Sequence, residues 1–138
     1  MRHGGNVWEG QPADWLGFSA NLRPEGTPAW VMDTMRAALS QACYYPDRAM
    51  RAARAGLALY LGVDENCVLP TAGGAAAIDL TLGVRRGAVH VQQPTFGEYA
   101  ERAKAHGRRM AANQAIQADD TVVVCNPNNP TGTLLSPN

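Results

Sequence analysis

The sequence predicts an α/β protein: a mostly parallel sheet with flanking helices, preceded by an extended arm and two helices. Three observations carry this. From residue 67 onward short apolar runs alternate with segments of helical period, the order expected of βαβ units. The clearest run, Val122, Val123, Val124 and Cys125, shows no apolar-polar alternation, so both of its faces are expected to be buried, as in a central parallel strand. The runs also end in small, amide or proline residues, and in open α/β sheets the loops at the carboxyl ends of strands are where ligands bind.

Residues 1–26 scatter Gly4, Gly5, Gly10, Pro12, Gly17, Pro24 and Gly26 among polar clusters and read as an extended arm. Thr27 and Pro28 form an N-cap and a first-turn proline. Trp30, Val31, Met35, Ala38 and Leu39 then recur near helical spacing, so the pattern predicts a helix through Ala42. Tyr44, Tyr45 and Pro46 interrupt it. Asp47 can cap a second helix in which Ala53, Leu57 and Leu61 lie four apart, before Gly62 ends it. Strands are expected at Cys67–Leu69, Ala88–Val91 and Thr121–Cys125, and a short one within Met110–Ala115. Helices are expected at Ala75–Val84 and at Phe96–His106, the latter closed by Gly107. Ser136 and Pro137 repeat the N-cap and proline pattern, so the chain reads as the amino-terminal part of a longer protein. The predicted organisation is an arm over 1–26, a helical segment and linker over 27–66, and the first part of a larger domain over 67–138.

Composition narrows the function class. With 138 residues, 46% of them hydrophobic, the chain can bury a core. Its formal net charge of zero gives no reason to expect a nucleic acid or an anionic membrane as partner. No apolar run approaches the ~20 residues of a membrane span, and the start MRHGGNVWEG lacks the apolar core of a secretory signal. The expectation is a soluble cytoplasmic protein. Cys43, Cys67 and Cys125 are odd in number and contain no C-x-x-C pair, so buried free thiols are expected in place of a disulfide framework or zinc site.

Three strand ends carry the chemistry. Leu69 to Ala76, LPTAGGAA, form a small-residue turn entering a helix, where unpaired backbone N–H groups can receive an anion. The turn matches neither G-x-G-x-x-G nor the P-loop, and Gly-Gly turns before helices are also common as plain structure. After the second strand, Gln92 to Tyr99 place Phe96 and Tyr99 three apart, able to offer a ring to the crevice or to serve as two core aromatics. After the third, Asn126, Pro127, Asn128, Asn129, Pro130, Thr131 and Gly132 cluster amide and hydroxyl groups in a turn-rich loop. An anion cradle, an aromatic face and an asparagine cluster on neighbouring strand ends suit a flat, phosphorylated, polar ring.

These elements resemble a known superfamily. CNPNNPTG after a valine-rich strand, the PTFGEY segment and the turn at residues 71–75 are similar to fold-type I pyridoxal-phosphate enzymes of the aspartate aminotransferase superfamily. HGGN at residues 3–6, FSANLRPEG at 18–26 and YYPD at 44–47 resemble the threonine-phosphate decarboxylases and related cobalamin-biosynthesis proteins, with histidinol-phosphate aminotransferases next. The resemblance implies pyridoxal 5'-phosphate as cofactor and a phosphorylated amino acid as substrate. It implies that Gly73, Gly74 and Ala75 offer main-chain donors to the cofactor phosphate, that Tyr99 stacks on the pyridine ring, and that Asn129 hydrogen-bonds the ring's phenolic oxygen. It also implies a homodimer in which Tyr45 reaches the neighbouring subunit's cofactor phosphate, an arm whose His3, Gly4 and Asn21 enclose the substrate, and a cis peptide between Asn129 and Pro130. The family's Schiff-base lysine is expected beyond residue 138, while Lys104, the one lysine present, reads as a solvated surface residue. Two positions depart from the pattern: Ala76 stands where an acidic residue is usual, and Arg23 where an asparagine is usual, with solvent its expected environment. Decarboxylation of threonine phosphate is the first expectation and transamination of histidinol phosphate the second. A non-catalytic binding or assembly role is the alternative of another class.

Overall fold

The computed structural model describes Gly17, residues 20–112 and residues 114–136, and the chain divides into two compact units after Arg51.

In the first unit, α1 spans Ala29–Ala38 and tightens into a 3-10 turn at Leu39–Gln41, where the sequence pattern predicted one α-helix to Ala42. The cap also differs from expectation. Pro28, with φ −55° and ψ 142°, occupies the N-cap position, and its carbonyl accepts from the N–H groups of Val31 and Met32. Thr27 is left one residue outside, because the proline combines a helical φ with an extended ψ and so cannot serve as the first full helical residue here. Asp47 does act at the start of the next helix: its carboxylate accepts from the backbone N–H of Ala49 at 3.1 Å and of Arg51 at 3.0 Å. Those two backbone bonds, Arg51 first, hold its pKa below the ordinary carboxylate value, with the Arg51 charge adding to them.

The second unit carries the sheet. Helix α2, Arg51–Leu61, stops at Gly62, whose φ of +67° is the left-handed conformation a helix terminus favours in glycine. Arg54 then donates to the Glu65 carbonyl at 2.8 Å, tying α2 to the following 3-10 turn, Glu65–Cys67. The strand expected at Cys67–Leu69 is absent. Cys67 closes that turn, Val68 is extended at φ −113° and ψ 124°, and no strand among the described residues lies beside it to take its hydrogen bonds. From there the predicted alternation holds: α3 at Gly74–Gly83, β1 at Val89–Val91, α4 at Glu98–Ala105, β2 at Met110–Ala111 and β3 at Thr121–Val123.

The strands run parallel in the order β2-β1-β3, with Val89 beside both Met110 and Thr121. Leu82 of α3, Val89 of β1 and Ala103 of α4 form the core, with Ile78, Met110 and Val123 packed around them. A buried arginine braces it. Arg108 donates to the carbonyls of Leu82, Gly87 and Ala88 and to the Thr121 hydroxyl at 2.7–3.1 Å, so its five-donor fork links the end of α3 to β1 and β3. Gly87 is fixed by space, because a Cβ there would run into the Asp119 backbone and the Asp120 carboxylate.

Two expectations about burial fail. Val122 and Val124 are 51% and 61% exposed, since among the described residues β3 pairs only with β1 and has no neighbour on its other side. Cys43 and Cys67 are exposed and Cys125 half-buried, because the first two occupy turns with nothing packed over them and the third lies past the paired part of β3. Among the described residues no helix is long and apolar enough to cross a membrane, and no cluster of three or more metal-binding side chains occurs.

Candidate functional site

The turn before α3 is held open by its own backbone. Gly73 has φ +83° and ψ 171°, a region closed to side-chain-bearing residues, and its N–H donates to the Thr71 carbonyl at 2.8 Å while its carbonyl accepts from the Thr71 hydroxyl at 3.0 Å. No side chain caps α3, so the first-turn N–H groups at Gly74, Ala75 and Ala76 emerge without an intrahelical acceptor, at the positive end of the helix. Nothing lies within 4 Å of where a Cβ on Gly73 or Gly74 would stand. Bare donors, an open approach and a helix dipole make a receptor for a phosphate-like anion.

The loop after β3 is built the opposite way, with its polar groups already engaged. Asn128 donates through its amide to the Pro94 carbonyl at 2.9 Å and the Thr131 hydroxyl at 2.8 Å, and accepts from the Thr95 hydroxyl at 2.8 Å. Its backbone N–H donates to the Thr133 carbonyl at 2.9 Å and its own carbonyl accepts from Gly132 at 2.7 Å. Asn126 exchanges two hydrogen bonds with the Leu135 backbone. The peptides before Pro94, Pro127 and Pro130 are cis, including the one at Asn129 that the resemblance implied. Asn129, next to the fully committed Asn128, keeps an exposed side chain.

Tyr99 sits in the first turn of α4, half-buried, with its ring edge-on to Phe96 at 5.8 Å and 85°. Its hydroxyl meets the Cys125 sulfur. The thiol beside it, with burial adding, pushes the phenol up to about 12. Conversely, the Tyr99 hydroxyl, the Asn129 N–H and the Thr95 hydroxyl all favour the thiolate and hold Cys125 below its ordinary value. Alongside lies a cavity of about 610 Å³, with His90, Gln92, Thr95, Val123, Cys125 and Asn128 in its wall.

The structure thus places Gly74 and Ala75, joined by Ala76, at the bare helix start, whereas the N–H of Gly73, expected among the donors, is engaged by the Thr71 carbonyl; it also brings the Tyr99 hydroxyl and the Asn129 backbone to a common neighbour, Cys125. Tyr45, 99% exposed, and Asn21, also exposed, belong to the first unit. His3 and Gly4 lie outside the described residues. Arg23 is exposed and 3.7 Å from Glu25, and Lys104 is exposed on α4. Sequence reasoning missed two arrangements. Asn128, singled out only as one of a cluster, is the loop's organiser. His90 and Asp120 form a half-buried pair, Nε2 to Oδ2 2.9 Å, with Asp120 also accepting from the backbone N–H groups of Gln117 and Ala88. The Gln117 backbone bond first, then His90, lowers Asp120 to about 2. Thirty residues separate this pair, and no local pattern links them.

No protein-family model matches the chain. It is 34% identical to a threonine-phosphate decarboxylase of Sinorhizobium sp over 98% of its own length and 43% of that relative's. It is 26% identical to a histidinol-phosphate aminotransferase of Desulfitobacterium hafniense, covering 88% of itself and 41% of the relative. Its fold matches the crystal structure of L-threonine-O-3-phosphate decarboxylase from Porphyromonas gingivalis with a TM-score of 0.72 at 24% identity, over 84% of this chain and 38% of that one. The chain therefore spans about two fifths of the length of the relatives it matches.

Proposed function

The chain is homologous to threonine-phosphate decarboxylases and histidinol-phosphate aminotransferases and has the fold-type I architecture, and on that premise we propose that it builds part of a pyridoxal 5'-phosphate site in an enzyme acting on a phosphorylated amino acid. The observation that carries the reading is the uncapped start of α3, where three backbone donors and an open approach fit the cofactor's phosphate. The Tyr99 ring and the exposed Asn129 side-chain amide, whose residues both neighbour Cys125 through the Tyr99 hydroxyl and the Asn129 backbone N–H, fit a flat heterocycle with a phenolic oxygen.

When bound, the cofactor supplies an electron sink for charge developing next to the substrate's amino group. The chain's own residues do the holding. The N–H groups at Gly74, Ala75 and Ala76 would hold the phosphate, the Tyr99 ring would pack on the heterocycle, and the Asn129 amide would donate to its phenolic oxygen. From the resemblance we also propose that the full-length protein is a homodimer in which Tyr45 would serve a neighbouring subunit's phosphate, and that His3, Gly4 and Asn21 would contribute to substrate binding. Lys104 has no part in this, being exposed on α4.

Of the two reactions, decarboxylation of threonine phosphate is the one we propose, on the HGGN arm and on the 34% identity to a decarboxylase. Carbon dioxide release from threonine phosphate by the full-length protein, without consumption of a keto acid, is the expected result. Stoichiometric conversion of 2-oxoglutarate to glutamate with histidinol phosphate would select the aminotransferase. No saturable binding of pyridoxal phosphate would overturn the site itself.

A further inference from the structure

The loop after β3 and the segment before α4 come from distant parts of the sequence, yet they carry the two ring contacts, Asn129 and Tyr99. One side chain bridges them. Asn128 donates to the Pro94 carbonyl and accepts from the Thr95 hydroxyl on one side, and on the other donates to the Thr131 hydroxyl in its own loop. Its backbone closes that loop through Thr133 and Gly132. Pro94 and Thr95 lie just ahead of α4, which opens at Glu98 and Tyr99. Asn126 has the same chemistry but a different reach: both of its side-chain bonds go to Leu135, within the same stretch of chain.

We propose that Asn128 is a positioning residue that fixes Asn129 and Tyr99 relative to each other by clamping the post-β3 loop onto Pro94 and Thr95. Its three side-chain hydrogen bonds all go to this chain's own residues. An asparagine is required because the clamp uses two donors and an acceptor on one short side chain, whereas an ionised carboxylate has no donor and a hydroxyl only one. Cys125 reports the result, since Tyr99 on α4 and the Asn129 backbone in the loop both favour its thiolate, while its own thiol donates to the Pro127 carbonyl at 3.5 Å. The inference rests on the cofactor reading for its purpose, but its geometry can be tested without cofactor.

The experiment compares Asn128→Ala with Asn126→Ala in a protein carrying Cys43→Ser and Cys67→Ser, so that Cys125 is the thiol followed among those three. The first readout is the pH midpoint of Cys125 alkylation in the absence of cofactor. It moves up toward the ordinary thiol value in Asn128→Ala and stays in place in Asn126→Ala. Asn128→Ser, which keeps one hydrogen-bonding atom, falls between them and serves if the alanine variant does not fold. The second readout is the visible circular dichroism of added pyridoxal phosphate, which weakens in Asn128→Ala with a Kd about tenfold higher, the size expected from losing one or two hydrogen bonds. Equal alkylation midpoints in Asn128→Ala, Asn128→Ser, Asn126→Ala and the parent protein would overturn the positioning role. A parent protein that binds no pyridoxal phosphate would overturn the cofactor reading and leave the alkylation result to decide this one.

Discussion

The turn before α3 and the loop after β3 stand at opposite limits of how a protein prepares a polar site. The first leaves its backbone donors bare: no side chain caps α3, and Gly73 holds a conformation that only glycine adopts comfortably. The second commits its polar groups to the rest of the chain, with Asn126 and Asn128 together making five side-chain hydrogen bonds, two of them to Pro94 and Thr95. Bare donors suit a ligand that brings charge, because the anion replaces water with little rearrangement. A self-satisfied loop suits a ligand that must be held at a fixed angle, because its rigidity passes to the one side chain left over, Asn129.

Substitution at the glycines tests the first half of that comparison most severely. Gly73→Ala should cost about 1–3 kcal/mol of stability, read by thermal or denaturant unfolding, because φ +83° with ψ 171° is strained for any residue with a Cβ. Gly74→Ala should not destabilise the fold, since it lies in α3 with free space around it and alanine favours the helix. Its methyl would nonetheless stand at the anion approach, so phosphate-dependent binding should weaken in a protein that is fully stable. Unchanged affinity for pyridoxal phosphate in Gly74→Ala would mean that the bare helix start is not the receptor.

The second half is sharpened at Tyr99. Tyr99→Phe should retain most of the affinity for pyridoxal phosphate while Tyr99→Ala loses it, because an aromatic contact adds about 0.5–1.5 kcal/mol beyond the area it buries. Fluorescence titration separates the cases, and equal affinities in all three proteins would remove stacking from the account.

The smallest effect concerns the His90–Asp120 pair, where His90 shares the cavity wall with Asn128. Asp120 is lowered from 3.8 to about 2, so its contribution to stability is complete above the ordinary value and is lost as pH falls through the folded one. Acid unfolding should therefore show a component between those limits. His90→Asn should shift it only slightly, since the Gln117 backbone bond is the larger cause. A large shift in the acid midpoint would show that the histidine, not the turn, holds the carboxylate.

Local chemistry decided what was legible in the sequence. The order of helices and strands from Gly74 to Val123 follows from apolar period and from glycine and proline punctuation, which act within a few residues. The small-residue turn at Gly73 and Gly74, the aromatic pair and the asparagine loop were legible for the same reason: each is a short run whose backbone preference is strong by itself. The strand expected at Cys67–Leu69 and the two-sided burial expected of Val122–Cys125 failed because a strand is completed by its neighbours, and these neighbours are not set by the run itself. Only the tertiary structure decided that Asn128, not its neighbour, bonds two distant segments, that Arg108 is buried under three carbonyls, and that Tyr99 comes beside Cys125. A hydrogen bond across thirty residues leaves no periodicity to read. It exists only once the sheet has brought β1 and β3 side by side.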